Sequence, residues 1–301
     1  MTIALAWLRR RKQTVELVLA SDSRLRSYGA MDQGQKLFRL IRGDCCLAFC
    51  GDAQVAYPFF IQVGTALDNH VKTRTRALDV TRLSASIGQL LNNLVTAWKI
   101  PLKEKKEQLA TTRIMFSGWS WENKRFHVGY FKFDDNQFVF HRSRAKSLHP
   151  WRETDRSLVF IGDYEDDYMS CLRTVLEARH GLAATQNEKV LFDFDYEPIE
   201  ALQHLLDKRD PEHTAIGGAP QLIKIYPYSS TLPFVVRTVS GHFLLGRKLF
   251  KWEKTEYPVL DLTKIPTRPL YPMQKIPLPG DLADEGEDAD WGEDLEAEDS
   301  P

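Results

Sequence analysis

The chain has 301 residues, 43% of them hydrophobic, and a formal net charge of −1, which is enough length and apolar content for one large core, with or without an appendage. Its apolar runs fall far short of the about 18 residues that a membrane helix needs, and the pattern is neither repetitive nor collagen-like, so the composition predicts a soluble globular protein. The charge is uneven: residues 281–301 hold eleven acidic groups and no basic one, which leaves 40 basic against 30 acidic groups in the rest.

Residues 2–8 and 14–21 are two β-leaning apolar runs separated by charged residues 9–13, the pattern of an antiparallel hairpin. A turn near residue 12 brings Asp22 back beside Thr2. The apolar part precedes Arg9, Arg10 and Arg11, the reverse of a secretory signal, so the segment reads as a mature strand of a cytoplasmic protein. Residues 36–41 and 45–50 form a second pair around Arg42, Gly43 and Asp44, a strong turn signal, and folding there sets Lys36 against Cys50 and Gly51. Cys45, Cys46 and Cys50, with Cys171 elsewhere, show neither metal-ligand nor disulfide-scaffold spacing. Buried, reduced thiols are expected, and no metal or cofactor.

Beyond Gly51 the pattern turns helical. Asp52 is a plausible N-cap for a helix over 53–69, in which Pro58 either bends the chain or marks the true first turn. A second amphipathic helix covers 80–98, with Leu83, Ile87, Leu91 and Leu94 on one face, and the Lys–Glu cluster at 103–107 is a solvated loop or a helix end. Strands follow at 112–117, 126–133 and 137–142, the last two joined by a tight turn at 134–136. Another strand, 157–161, ends in Gly162 and Asp163 and opens a helix over 165–179. A helix over 197–208 and strands near 221–226 and 234–239 complete a domain spanning 1–245. A Pro-rich extended arm over 246–280 and a disordered acidic tail over 281–301 come after it. Strands, a helix pair, strands, a helix pair and final strands predict an α+β fold, packed as a four-layer helix–sheet–sheet–helix (αββα) sandwich.

Three short segments carry a family resemblance: Ala20-Ser21-Asp22-Ser23-Arg24, Gln35-Lys36-Leu37-Phe38-Arg39-Leu40 and Ala48-Phe49-Cys50-Gly51-Asp52-Ala53. Together with Thr2 on the first strand they resemble the proteasome β-subunit-like N-terminal-nucleophile (Ntn) hydrolases, nearest to the bacterial Anbu-type proteins. In that family a threonine opens the first strand, an Asp-x-Arg follows the second, a lysine opens the third and a glycine ends the fourth. The resemblance covers residues 2–70 well and the order of elements to about 240 loosely. It implies a proteasome-like sandwich, a threonine-type peptidase or amidohydrolase acting on a peptide or amide, and assembly as a homo-oligomer.

The chemistry gives each position a reason. Once Met1 is removed, the α-amine of Thr2 can take the proton of its own hydroxyl, and an ordinary α-amine value of about 7.7 to 8.0 suits a general base. Lys36 would favour deprotonation of the hydroxyl, Asp22 would hold Lys36, and the Gly51 N–H would receive the oxyanion of a tetrahedral intermediate. Ser23 and Arg24 are supporting residues by resemblance. Taken singly, Thr2 is a strand residue, Asp22 a turn residue, Lys36 a solvated one and Gly51 a helix-start glycine; only their joint placement carries the catalytic reading.

Three family features are altered, one being a first hairpin about four residues longer than the family's. The Asp-x-x-Ser-Gly-Gly segment has its best counterpart in His213-Thr214-Ala215-Ile216-Gly217-Gly218, which lacks both polar groups. His213 either replaces the missing Asp or is a solvent-facing loop residue. The serine that often follows the later strand's glycine is Asp163. A rival reading is therefore a catalytically silent proteasome-like scaffold, working through its arm and acidic tail on a protein partner. The tail also reads as a mimic of an anionic ligand or as a solubiliser. Nucleic acid is not an expected partner, because Arg and Lys are scattered without interleaved aromatics.

Overall fold

The computed structural model describes residues 2–11, 14–26, 29–99, 101–142, 158–180, 194–208, 214–228 and 230–265. Met1, His213, residues 266–280 of the Pro-rich arm and the whole acidic tail lie outside them. The fold is mixed α+β. Among the described residues no helix is long and apolar enough to cross a membrane.

The first hairpin pairs β1 (Ile3–Arg11) with β2 (Thr14–Ser21). Ala4 faces Ser21 and Arg11 faces Thr14, so Asp22 comes level with Ile3, one residue later than a turn centred on residue 12 would place it. Sheet one continues on both sides of this hairpin. β10 (Leu158–Gly162) pairs with β1, and β11 (Gln221–Tyr226) pairs with β2, followed by β12 (Ser230–Thr238), β13 (Gly241–Leu244) and β14 (Arg247–Lys248). β15 (Val259–Asp261) joins β12 in parallel. The boundary expected at 245 thus falls inside sheet one, because β14 and β15 hydrogen-bond to strands already in place.

Sheet two is an antiparallel meander of β5 (Leu37–Arg39), β6 (Cys45–Cys50), β7 (Arg113–Ser120), β8 (Arg125–Asp134) and β9 (Gln137–Arg142). Leu37 pairs with Ala48. Extending that register sets Lys36 level with Phe49 rather than with Cys50 and Gly51. A small hairpin, β3 (Leu25–Arg26) with β4 (Ala30–Met31), stands apart.

After Gly51, α1 (Ala53–Asn69) starts where the Asp52 side chain accepts the Gln54 N–H at 2.8 Å. Pro58 sits inside α1, where its missing N–H removes one backbone bond without ending the helix. A short α2 (Val71–Arg74) leads to α3 (Val80–Ala97), capped by Asp79. The Lys–Glu cluster lies in a helix, α4 (Leu102–Ala110). α5 (Glu165–His180) and α6 (Glu197–Lys208) form the other helical pair, tied by Arg179 and Glu197 at 3.1 Å.

Three clusters of buried side chains link these elements. The period-2 alternation of β1 sends Ile3, Leu5 and Trp7 towards α5 and α6, where they meet Leu172, Leu176, Leu202 and Leu205. It sends Ala4 and Ala6 the other way, against Leu37, Ala48, Cys50, Met115 and Ile223, in a core to which both sheets contribute. The opposite face of sheet two, with Leu47, Phe49, Phe116 and Phe131, packs on Val63, Leu83, Ile87 and Leu91 of α1 and α3. All four cysteines are free and buried.

Candidate active site

The start of β1 is held from both sides by carboxylates. Asp163, just past β10, accepts the Thr2 N–H at 3.2 Å through Oδ2, and its own N–H donates to the Thr2 carbonyl at 3.1 Å. Asp22, just past β2, accepts the Ile3 N–H at 3.1 Å through Oδ1. The Ser21 hydroxyl donates to the Ile3 carbonyl at 2.7 Å. Gly162 makes the first approach possible: its φ is +139°, and a Cβ there would stand 2.0 Å from the Thr2 carbonyl oxygen, so a side chain would push the two strands apart.

Asp22 is the hub of the site. Besides the Ile3 N–H it accepts Lys36 Nζ at 2.8 Å, the Arg24 N–H at 3.2 Å and the Gly217 N–H at 3.1 Å. Asp22 and Lys36 are both 0% exposed. For Lys36 burial outweighs the attraction of Asp22, so its ammonium gives up its proton more readily than an ordinary lysine. The lysine sits immediately before β5 of sheet two while Asp22 ends a strand of sheet one, so the pair bridges the two sheets. Gln221, the first residue of β11, reinforces the bridge. Its side-chain N–H groups donate to the carbonyls of Asp22 at 3.0 Å and Gly34 at 2.8 Å, and its oxygen accepts the N–H groups of Lys36 at 3.0 Å and Leu37 at 3.3 Å.

Gly51 ends β6 with a φ of +99°, and a Cβ there would stand 2.6 Å from the Thr111 carbonyl oxygen; a left-handed glycine is required to turn the strand into α1. Its neighbour Cys50 packs in the same buried cluster as Ala4 of β1 and Leu37, the residue after Lys36, which ties the end of β6 to the same neighbourhood. Burial pushes the Cys50 thiol up to about 11, so it is no thiolate at neutral pH and no rival nucleophile. Beside Gly51 a groove of about 360 Å³ runs between the β3–β4 hairpin and the start of α1, lined by Leu25, Arg26, Met31, Asp52 and Gln54 among others.

The two supporting residues brace the frame. The Ser23 hydroxyl donates to the Ala219 carbonyl, and Ser23 N–H to the Gly217 carbonyl at 2.9 Å. Arg24 lies against Gly217, ion-pairs with Asp32 at 2.5 Å and donates to the Thr214 carbonyl at 3.2 Å. The Gly217 segment, which looked like a site stripped of its polar groups, reaches Asp22 through its backbone instead.

Thr2, Asp22, Lys36 and the end of β6 therefore belong to one neighbourhood, although Thr2 itself is 1% exposed. Two contributors went unread in the sequence. Gln221 gives no signal, since a glutamine opening a strand reveals neither its burial nor its span. Asp163 had a signal, a Gly–Asp at a strand-to-helix junction, but it stood out only as a missing serine. Comparison of the chain with protein-family models and with curated proteins finds no match.

Proposed function

We propose that this protein is a threonine-type N-terminal-nucleophile hydrolase of the proteasome-like kind, built as a four-layer αββα sandwich. The observation that carries the reading is the fully buried Asp22–Lys36 pair, whose carboxylate also holds the Ile3 N–H next to Thr2. A charge pair closed to water costs desolvation that packing alone does not require, and its position beside the first strand fits a chemical role. The layered architecture has support in the three successive cores, one under α5 and α6, one to which both sheets contribute and one under α1 and α3.

In this reading, processing leaves Thr2 as the first residue. Its Oγ attacks the carbonyl carbon of an amide or peptide bond while the Oγ proton passes to the α-amine. The C–O bond forms, the Gly51 N–H stabilises the oxyanion, and collapse breaks the C–N bond as the α-ammonium returns the proton to the leaving amine. Water then releases the acyl group from Thr2 by the same route. Lys36, held by Asp22, stabilises the developing alkoxide.

A threonine-directed electrophile should label Thr2 in protein whose intact mass lacks Met1, and Thr2→Ala should abolish the label while preserving the fold. Labelling that persists in Thr2→Ala, or Met1 retained in every preparation, defeats the proposal. A second reading, a silent scaffold, draws on the 1% exposure of Thr2. Absence of label on natively folded protein that begins at Thr2 is the result that favours it.

A further inference from the structure

The nitrogen that the proposed chemistry uses as its base already has a partner. In the chain as described, Thr2 N is a peptide N–H bound by Asp163 Oδ2 at 3.2 Å, and Asp163 is fixed by its own N–H on the Thr2 carbonyl at 3.1 Å. Gly162 lets that two-point clasp close. Once Thr2 is the first residue, the same nitrogen takes up to three protons, and the carboxylate then faces an ammonium. An opposite charge within hydrogen-bond distance favours the charged form, and an ammonium has no lone pair with which to take the Oγ proton.

We propose that Asp163 is a positioning residue that holds the Thr2 α-amine as its ammonium, so that the nucleophile idles near neutral pH and is released as the medium becomes alkaline. This rests on the threonine-hydrolase reading for its consequence, but not for the contact itself. The other charged groups around the nitrogen pull in both directions. Asp22, at the end of β2, adds to the effect of Asp163 but is already engaged by Lys36 and three backbone N–H groups. Lys36, before β5, opposes it. Cys50, at the end of β6, has its thiol pushed up to about 11 and adds no charge at neutral pH, while Arg113 of β7 faces Cys50 and Arg24 is paired with Asp32. The first-turn carboxylates of α5, Glu165, Asp166 and Asp167, are exposed. Asp163 is itself exposed on its outer side, so solvent screens the pair and the expected displacement is about one pH unit, the lower end of the usual range for an opposite charge.

The test uses full-length protein released from a cleavable N-terminal fusion so that it begins at Thr2. Trace acetylation of the α-amine with acetic anhydride, read by mass spectrometry of the N-terminal peptide from about pH 6 to about pH 10, reports the protonation midpoint of that amine without any hydrolytic activity. Asp163→Asn should lower the midpoint by about one unit, Asp163→Glu should keep it, and the pH profile of Thr2 labelling by the electrophile should shift with it. Asp163→Ser serves if the Asn variant does not fold. An unchanged acetylation midpoint in Asp163→Asn or Asp163→Ser overturns the proposal, whatever the labelling does. A lowered midpoint on a protein whose Thr2 is never labelled sustains the hold of Asp163 on the amine and sinks the hydrolase reading instead.

Discussion

Two ion pairs among the described residues are closed to solvent on both partners, Arg42–Asp44 and Asp22–Lys36, and although burial lowers both cations, their net shifts run in opposite directions. Arg42 meets Asp44 through two parallel bonds, Nε at 2.6 Å and Nη2 at 2.7 Å, and Nη2 also donates to the Leu78 carbonyl at 2.8 Å. Burial acts to lower its value, but Asp44 outweighs that and Arg42 ends above the ordinary arginine range. Lys36 makes a single bond of 2.8 Å to a carboxylate shared with three backbone N–H groups, and there burial wins. A planar fork matched to a carboxylate secures its charge, whereas a point charge on a shared acceptor leaves its proton loosely held. The first pair joins residues two apart and staples a turn. The second joins two sheets beside Thr2.

The largest effect should come from breaking the second pair, and it should be asymmetric. Asp22→Ala strands the Lys36 ammonium and three backbone donors in a closed site, and should cost about 3–5 kcal/mol of unfolding free energy. Lys36→Met leaves the carboxylate with its three N–H donors and should cost less, about 2 kcal/mol. Urea denaturation of both variants measures the difference; equal costs would mean that Asp22 is not the hub. The pH dependence has a defined sign. With the folded value of Lys36 below the unfolded 10.5, its contribution to stability is complete above pH 10.5 and is lost as pH falls through the folded value. Lys36→Met should remove that component of the alkaline-side slope.

These residues also mark how far the sequence could be read. The bounds of α1 and α6 were legible because a capping Asp52 and a strong apolar periodicity act locally. The partners of Asp22 and Lys36 were legible to within one residue, since two hairpins predict which strand ends meet, while the turn geometry at 12–13 and 42–44 decides the final register. α4 reads from sequence as a solvated loop or a helix end, because Lys103, Glu104, Lys105, Lys106 and Glu107 leave it almost no apolar stripe; Leu109 supplies its buried anchor. Strands β13 to β15, two to four residues long, depend on strands already in place: β13 and β15 pair with β12, and β14 pairs with β13. Pro233 inside β12 opposite Ile223 made that strand seem to begin later than it does. Asp163 meets Thr2 across 161 residues of sequence and Gln221 meets Asp22 across 199, separations at which a local pattern does not name the partner.

A buried imidazole shows what burial does when no hydrogen bond answers it. His127 of β8 is 4% exposed, stacked on Phe140 at 5.3 Å, and neither ring nitrogen has a hydrogen-bond partner among the described residues. Burial, with Arg142 and Arg125 adding to it and Asp79 opposing, brings the imidazole from 6.5 down to about 4. The folded value lies below the unfolded one, so this contribution is fully present above about pH 6.5 and is lost as pH falls through about 4. The span corresponds to about 3 kcal/mol. Urea unfolding of His127→Leu and of the parent protein across that interval should show a flatter pH dependence in the variant; identical slopes would remove His127 from the acid response.

The smallest net effect sharpens the fork argument. Arg42→Lys keeps the charge beside Asp44 but exchanges two bonds at fixed angles for one adjustable donor, and it gives up the second bond of Nη2 to the Leu78 carbonyl at the entry to α3. Losing two charge-assisted bonds, at about 1.5 kcal/mol each, should cost about 3 kcal/mol before any offset. The cost is partly offset because Nη1 of Arg42 is buried without a partner among the described residues, and lysine removes that orphan. The new ammonium then stands where Lys36 stands, with burial set against a single carboxylate, so its proton should loosen in the same direction. Arg42→Lys should therefore acquire an alkaline-side pH dependence of stability that the parent turn lacks, visible as a difference in urea midpoint between neutral and alkaline buffer. A variant that loses stability by the same amount at both would show that charge placement alone, without the guanidinium fork, holds this turn.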